Sequence, residues 1–390
     1  TADCRSVTIQ SGAILEVAQG TLSVHGGYTR VYGKIKVSSA SAVLELNGHL
    51  VWNAGSVFEE TAAGTIYLGG NWEAKDGSTV EINLTSLFFV GAEDSVIYTE
   101  DSGNHFGNLI ISKSISKSTS YSSESLVSLN IEGNFTVMSG SSFYTHCSGN
   151  IDLEGNLVSN GGLTLIQGKL RFTSGSTQYI TVSGIDIIND LEPVNGTTLD
   201  LCNNLTVRGS LYLNSGIISA HSFSIKVYGD WEPSPYFNSY IADAAGSVMF
   251  VGDQNSTCNG VNFKKLVIAK SYSAEVIIDT DKQVQCASLD WTSGVIRVCG
   301  GSLMAADLAD LNIQGSYILE SGIIDLTQDN SHYVDLNADL NISGGTFTIH
   351  GGYNTPSEWA YTENCQVTMS GGALNFADNG IYLSNTGHYL

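Results

Sequence analysis

Val7-Thr8-Ile9, Ser11-Gly12, Ile14-Leu15-Glu16-Val17, Gly20, Leu22-Ser23-Val24 and Gly26-Gly27 follow one another at the start of the chain. Most of these short runs alternate apolar and polar side chains, the period-two pattern of a strand with one buried face. A Gly stands close behind each run, and Gly accepts the positive φ of a tight corner. The alternation returns in Leu44-Glu45-Leu46, Ile66-Tyr67-Leu68, Val80-Glu81-Ile82, Leu163-Thr164-Leu165, Leu211-Tyr212-Leu213, Phe347-Thr348-Ile349 and Ile381-Tyr382-Leu383. Strong helix formers are thin and no 3.6-residue stripe persists, so no helix is expected. Asn47-Gly48, Asp76-Gly77, Asn195-Gly196, Asn259-Gly260 and Asn379-Gly380 do not fall at every strand junction, as an antiparallel meander would require. Three short strands per ~20–25 residues, with corners between them, instead predict coils of a parallel β-helix. Like residues then stack on like at roughly 4.8 Å, and stacked Asn, Ser and Thr link neighbouring coils through their side chains. The expected fold is all-β, a parallel β-helix or β-solenoid, in a single elongated domain with internal repeats.

A longer duplication lies over the coils. Gly70-Asn71-Trp72-Glu73 returns as Gly229-Asp230-Trp231-Glu232, 159 positions on. Phe89-Val90-Gly91 returns as Phe250-Val251-Gly252, and Phe106-Gly107-Asn108-Leu109-Ile110-Ile111 as Phe263-Lys264-Lys265-Leu266-Val267-Ile268. Phe89, Phe172 and Phe250 are read as opening three copies of a unit of about 80 residues. Ser210-Leu211-Tyr212-Leu213 matches Ser288-Leu289-Asp290-Trp291 at a similar spacing, 78 residues. The superrepeats predicted within the single solenoid 1–390 are roughly 65–145, 146–228, 229–310 and 311–390. Trp72, Trp231, Phe89, Phe172, Phe250, Phe106 and Phe263 are the expected repeat-packing residues. Equal register favours packing over sugar stacking for the two Trp. The segment 112–125, with eight Ser, is expected to leave the coil as a loop, with shorter excursions at 233–240 and 354–358.

The chain carries 38 acids against 16 bases, a net charge of −22. Such a surface cannot neutralise a row of phosphates, which excludes nucleic acid as a partner. It also opposes binding to anionic lipid, while loosely bound divalent cations would relieve its self-repulsion. No run approaches ~20 apolar residues, so no membrane insertion by a helix is expected. The absence of Met at Thr1 reads as a processed end, and the few Lys among much Asn, Ser, Thr and Gly read as an exported protein, extracellular or at the cell surface. Cys4, Cys147, Cys202, Cys258, Cys286, Cys299 and Cys365 include no Cys-x-x-Cys pair. They are disulfide candidates in a secreted chain, or small buried apolar residues.

Chemistry has little foothold. Asp186, Asp190 and Glu192 form the best acid cluster, and solvated loop acids are the plainer reading. A lyase of this shape would want an Arg or Lys base, but Arg5, Arg30, Arg171, Arg208 and Arg297 are scattered. His-Glu-x-x-His, Gly-x-Ser-x-Gly and the phosphate-loop pattern are all missing. No catalytic, cofactor-binding or metal residue is assigned, and no cofactor is expected.

The block Gly70-Asn71-Trp72, Phe89-Val90-Gly91 and Phe106-Gly107-Asn108-Leu109-Ile110-Ile111 resembles a repeated block of large secreted bacterial surface proteins. Such repeats resemble the passenger regions of exported adhesin-like proteins, often type IX secretion cargo. The resemblance covers about residues 65 to 350 and implies a β-solenoid.

Strand pattern runs from Ser6 to Leu383 with no amphipathic cap visible at either end. Open rims of this kind favour stacking on another copy, and a head-to-tail contact that does not close yields a fibre. The expected function is therefore a non-enzymatic extracellular structural protein: the subunit of a surface filament or sheath, a homopolymer built by end-to-end strand-edge contacts. The alternative is a surface adhesin or glycan-binding stalk working through lateral Tyr, Trp and Asn. A β-helix polysaccharide lyase or hydrolase comes third.

Overall fold

Leu44, Ile66, Leu87, Leu109, Phe135, Leu157, Ile180 and Leu201 stand in one continuous ladder, each the register partner of the next. All are buried. These are the apolar members of the alternating runs, so period two in the sequence becomes one inward column per strand position. The computed structural model describes residues 2–350 and 367–377, apart from 102, 124–125, 146, 235–238, 272, 309–310, 314–315, 329–333 and 337–339. Cys365, Asn379-Gly380, Ile381-Tyr382-Leu383, the excursion at 354–358 and the middle of the one at 233–240 lie outside the described residues.

Among the described residues there is no helix, and neighbouring strands are joined as a parallel β-solenoid. The chain divides into two units, Thr1–Asn203 and Asn204–Leu390. In the first, each coil contributes a strand to three faces. The opening coil supplies β1 (Ala2–Cys4), β2 (Val7–Ile9) and β3 (Ile14–Val17), which pair with Gly20–Val24, Tyr28–Val31 and Lys34–Val37 of the next. In the second unit, Val207, Val227, Phe250, Ile268 and Trp291 form an equivalent inward ladder. Parallel stacking satisfies each strand's backbone groups from the coils before and after it, which is why so narrow a core suffices.

Side chains at the corners add to the ladder. The Asn108 carboxamide oxygen accepts from the Asn134 backbone N–H at 2.9 Å, that of Asn134 from Asn156 at 2.8 Å, and that of Asn156 from Tyr179 at 2.8 Å. Outward charges pair across coils as Glu16–Lys36–Glu59, Asp152–Arg171–Glu192 and Glu275–Arg297–Glu320. Half-exposed pairs of this kind contribute little each.

Two expectations need correction. Of the Ser-rich segment 112–125, residues 112–122 stay in the coil: Asn108–Lys113 and Lys117–Ser122 are both strands, the latter paired with Ser95–Tyr98 and with Ser141–Thr145. Its Thr119 and Tyr121 face inward, with Ser120 covered at the outward position between them, and the Tyr121 hydroxyl bonds Thr99 Oγ1 at 3.1 Å and the Val127 carbonyl at 2.8 Å. The small Thr119 hydroxyl fits the lumen, and its polarity together with that of the outward serines hid the strand. The three-copy reading of Phe89, Phe172 and Phe250 also fails. Phe89 pairs with Leu68 and Ile111 on one face of its unit, whereas Phe172 pairs with Leu153 and Pro193 on another. What does repeat is the duplication between residues 69–113 and 228–270.

The register makes a direct prediction on one strand. Leu87 points inward and Phe88 outward. Leu87→Ala should cost about 2–5 kcal/mol and Phe88→Ala about 1 kcal/mol or less, measured by chemical denaturation. The reverse order would mean the strand is slipped by one residue.

Candidate functional site

The duplicated block builds one device twice. Gly70 and Gly229 lie where a coil presses on the one before: a Cβ at either would sit 2.6 Å from the backbone carbon of Gly48 or Gly209. The next residue reaches forward. Asn71 Oδ1 accepts from the Val96 N–H at 3.0 Å, and Asp230 Oδ1 from the Thr257 N–H at 2.7 Å. Trp72 and Trp231 then turn fully inward, each meeting a Phe edge-to-face: Phe106 at 5.1 Å and Phe263 at 5.3 Å between ring centroids. Phe89 and Phe250 are also fully buried, and the Gly two residues on, Gly91 or Gly252, takes φ of 92° or 91°. That left-handed conformation explains why Gly ends both Phe-Val-Gly triplets. The indole nitrogens of Trp72 and Trp231 meet no hydrogen-bond partner, a cost set against the large apolar area the rings bury.

A lysine closes each copy, and the sequence reading missed it. Lys113 is buried, and its ammonium donates to the Gly69 carbonyl at 3.0 Å, the Val90 carbonyl at 2.7 Å and Ser95 Oγ at 2.5 Å. Lys270 repeats this with the Tyr228 carbonyl at 3.0 Å, the Gln254 carbonyl at 2.8 Å and Ser256 Oγ at 2.6 Å. Each serine hydroxyl in turn donates to the carbonyl the lysine also uses, Gly69 or Tyr228. One amine thereby ties three consecutive coils. Burial pulls both lysines down from the ordinary 10.5 to about 8, against the raising effect of Asp94 and Glu93 on Lys113 and of Asp230 and Asp253 on Lys270. The signal lay two residues past the matched block, where Ser112-Lys113 aligns with Ala269-Lys270.

The best acid cluster of the sequence does not converge on a reaction centre. Asp186 is buried at a corner, where its carboxylate accepts from the Leu163 N–H at 2.8 Å, the Ser183 N–H at 2.6 Å and the Ser183 hydroxyl at 2.9 Å. Burial raises its pKa, while those bonds oppose the shift. Glu192 sits between Lys169 and Arg171. Among the described residues no group of three or more His, Cys, Asp and Glu side chains gathers as a metal site. The thiols of Cys4, Cys147, Cys202, Cys258, Cys286 and Cys299 are unbridged. Burial raises Cys258 and pushes Cys286 up to about 12, so neither is a ready thiolate.

Two surfaces remain. At the opening coil, β1, β2 and β3 each pair on one side only among the described residues. Ile9 directs its carbonyl to the next coil, accepting from the Tyr32 N–H at 2.8 Å. Alternate residues aim their backbone groups oppositely, so Thr8 directs its own to the outer side. On the first face, an outward row of register partners runs Tyr67, Phe88, Ile110, Thr136, Val158. It carries no charge, and the Tyr67 and Phe88 rings lie 5.1 Å apart.

The chain matches no family model, no curated protein and no solved structure at a significant level.

The buried lysines set a pH dependence. Their folded pKa lies below the unfolded value, so between about pH 8 and 10.5 the unfolded chain binds more protons and stability rises with pH. The double variant Lys113→Met/Lys270→Met lacks this term. Over that window the unmodified chain should gain on the variant by up to about 1.4 kcal/mol per pH unit per lysine, read from denaturant midpoints. Parallel pH profiles for the two proteins would contradict the assignment.

Proposed function

We propose that the chain is a non-enzymatic structural protein, a β-solenoid subunit of a surface filament or sheath assembled by end-to-end strand-edge contacts between copies. The observation that carries this reading is the stacking of coil on coil, in which parallel strands take their backbone partners from neighbouring coils in constant register. Three parallel strand edges at once form a template in which each outward donor and acceptor has a defined mate. The internal stacking of coil on coil supplies the geometry for that contact. A head-to-tail union does not use the same surface twice, so it propagates into a filament unless it closes. Distributing the side-chain polarity into ladders and corners, with Asp186 and Glu192 engaged in holding coils, supports a scaffold over a reaction centre. The low Lys content and the abundance of Asn, Ser, Thr and Gly support an extracellular setting. The likeness of the Gly-Asn-Trp and Phe-Val-Gly block to exported bacterial surface proteins points the same way.

The outward row Tyr67, Phe88, Ile110, Thr136, Val158 favours a second reading, a stalk that binds neutral glycans along its side. Aromatic rings at strand spacing offer faces for sugar rings, and the row has no charge to repel them.

Electron microscopy of the purified chain at micromolar concentration tests the first reading. Filaments are expected. Thr8→Pro removes an outward N–H while leaving the inward ladder of β2 intact, and should reduce filaments to discrete particles with the melting temperature of the subunit preserved. Discrete particles from the unmodified chain would refute it. Binding of neutral glycans that Tyr67→Ala and Phe88→Ala abolish would favour the second.

A further inference from the structure

Within the unit Thr1–Asn203 the outward charges are segregated by face. Six consecutive strands of the first face, Thr65–Leu68, Ser86–Gly91, Asn108–Lys113, Phe135–Val137, Leu157–Ser159 and Thr177–Thr181, stand side by side in one sheet. Their outward positions hold no Asp, Glu, Lys, Arg or His. Lys113, the one charged residue on these strands, is turned inward. On the third face, the same six coils carry the outward row Glu81, His105, Asn130, Asp152, Arg171, Glu192. Five of those six side chains are charged or ionise near neutrality. In the matching first-face row Tyr67, Phe88, Ile110, Thr136, Val158, Thr181, none does. Glu45 bounds the charge-free run on one side and Asp200 on the other.

That segregation decides what can lie on the face. A basic partner is drawn to the carboxylate rows instead. A sugar finds no pair of open rings, because Tyr67 and Phe88 lean on each other at 5.1 Å and 36°. Two copies of a chain of net charge −22 repel one another wherever carboxylate rows meet, and this face brings none together. A second copy also matches in shape. Its columns repeat at the same spacing of about 4.8 Å, so the side chains of two such sheets can interleave at a separation of about 10 Å. Extent sets the strength. Six strands span about 29 Å and three outward positions about 13 Å, giving roughly 400 Å² per copy. A standard interface buries about 800 Å² per partner, so a single contact of this size is weak and reversible. Subunits joined in a row would add many such contacts.

We propose that this charge-free face packs side by side against the same face of a second copy, through Tyr67, Phe88, Ile110 and Val158. The contact is lateral and uses no strand edge, so it stands apart from end-to-end assembly. Sedimentation equilibrium of the full chain carrying Thr8→Pro, over roughly 10 µM to 1 mM, isolates it. A monomer–dimer equilibrium is expected. Added NaCl should strengthen it, since screening removes repulsion and the contact holds no ion pair to lose. Ile110→Lys and Thr136→Lys should each weaken it at least about tenfold, because each buries an unpaired charge. Both lower the net negative charge, so a general change in repulsion would act the other way. Thr164→Lys, outward on another face of the coil that holds Val158, should leave the dimer intact. Ile110, Thr136 and Thr164 all point outward, so the three thermal melts should match that of the parent. A chain that stays monomeric, whether or not it binds a neutral glycan, would overturn the proposal. So would association that added salt weakens, or that Ile110→Lys and Thr136→Lys leave unchanged.

Discussion

Backbone hydrogen bonding between parallel coils is the constraint on which everything else rests. A coil has no sheet of its own; its strands have partners only in the coils before and after. Register is therefore shared along a unit, and a residue's face is set by its neighbours' faces. This is why Leu44, Ile66, Leu87 and Leu109 fall into a column although they lie in separate turns.

The duplicated device shows how a solenoid resists unwinding at its corners. Gly70 and Gly229 let backbones touch, Asn71 and Asp230 reach into the following coil, and Lys113 and Lys270 bind carbonyls from earlier ones. An ammonium buried among carbonyls, its nearest acids acting only at a distance, is costly. It is kept twice, with the same Ser partner each time. The plainest account is geometric: three donors on a flexible stem can hold three acceptors from two other coils, and no apolar residue can.

How much of this was legible in the sequence depended on which physical signal carried it. The period-two runs such as Ile66-Tyr67-Leu68 announced inward and outward faces, and the sparse Asn-Gly pairs excluded a hairpin meander, so the parallel β-solenoid was readable. The Trp72 and Trp231 match was readable as a repeat, but the role of its Asn and Asp was not, because the acceptor's partner lies a full coil away in the sequence. The stretch 112–122 was misread since its inward positions include Lys113 and Thr119, and its outward serines leave no hydrophobic alternation. Phe172 was assigned by spacing alone, and spacing does not distinguish one face from another. Lys113 and Lys270 escaped because a lysine in an alternating strand looks outward-facing.

The central claim is that consecutive coils are parallel neighbours in one fixed register. Thr65 and Ser86 are register partners on outward positions of adjacent coils, a strand spacing within the Cα separation of about 4.4–6.8 Å that a disulfide spans. The double substitution Thr65→Cys/Ser86→Cys, oxidised and mapped by mass spectrometry of proteolytic fragments, should yield the 65–86 cross-link in the folded protein. Introduced thiols that stay free, with oxidation instead joining positions that only an antiparallel pairing would bring together, would contradict the account.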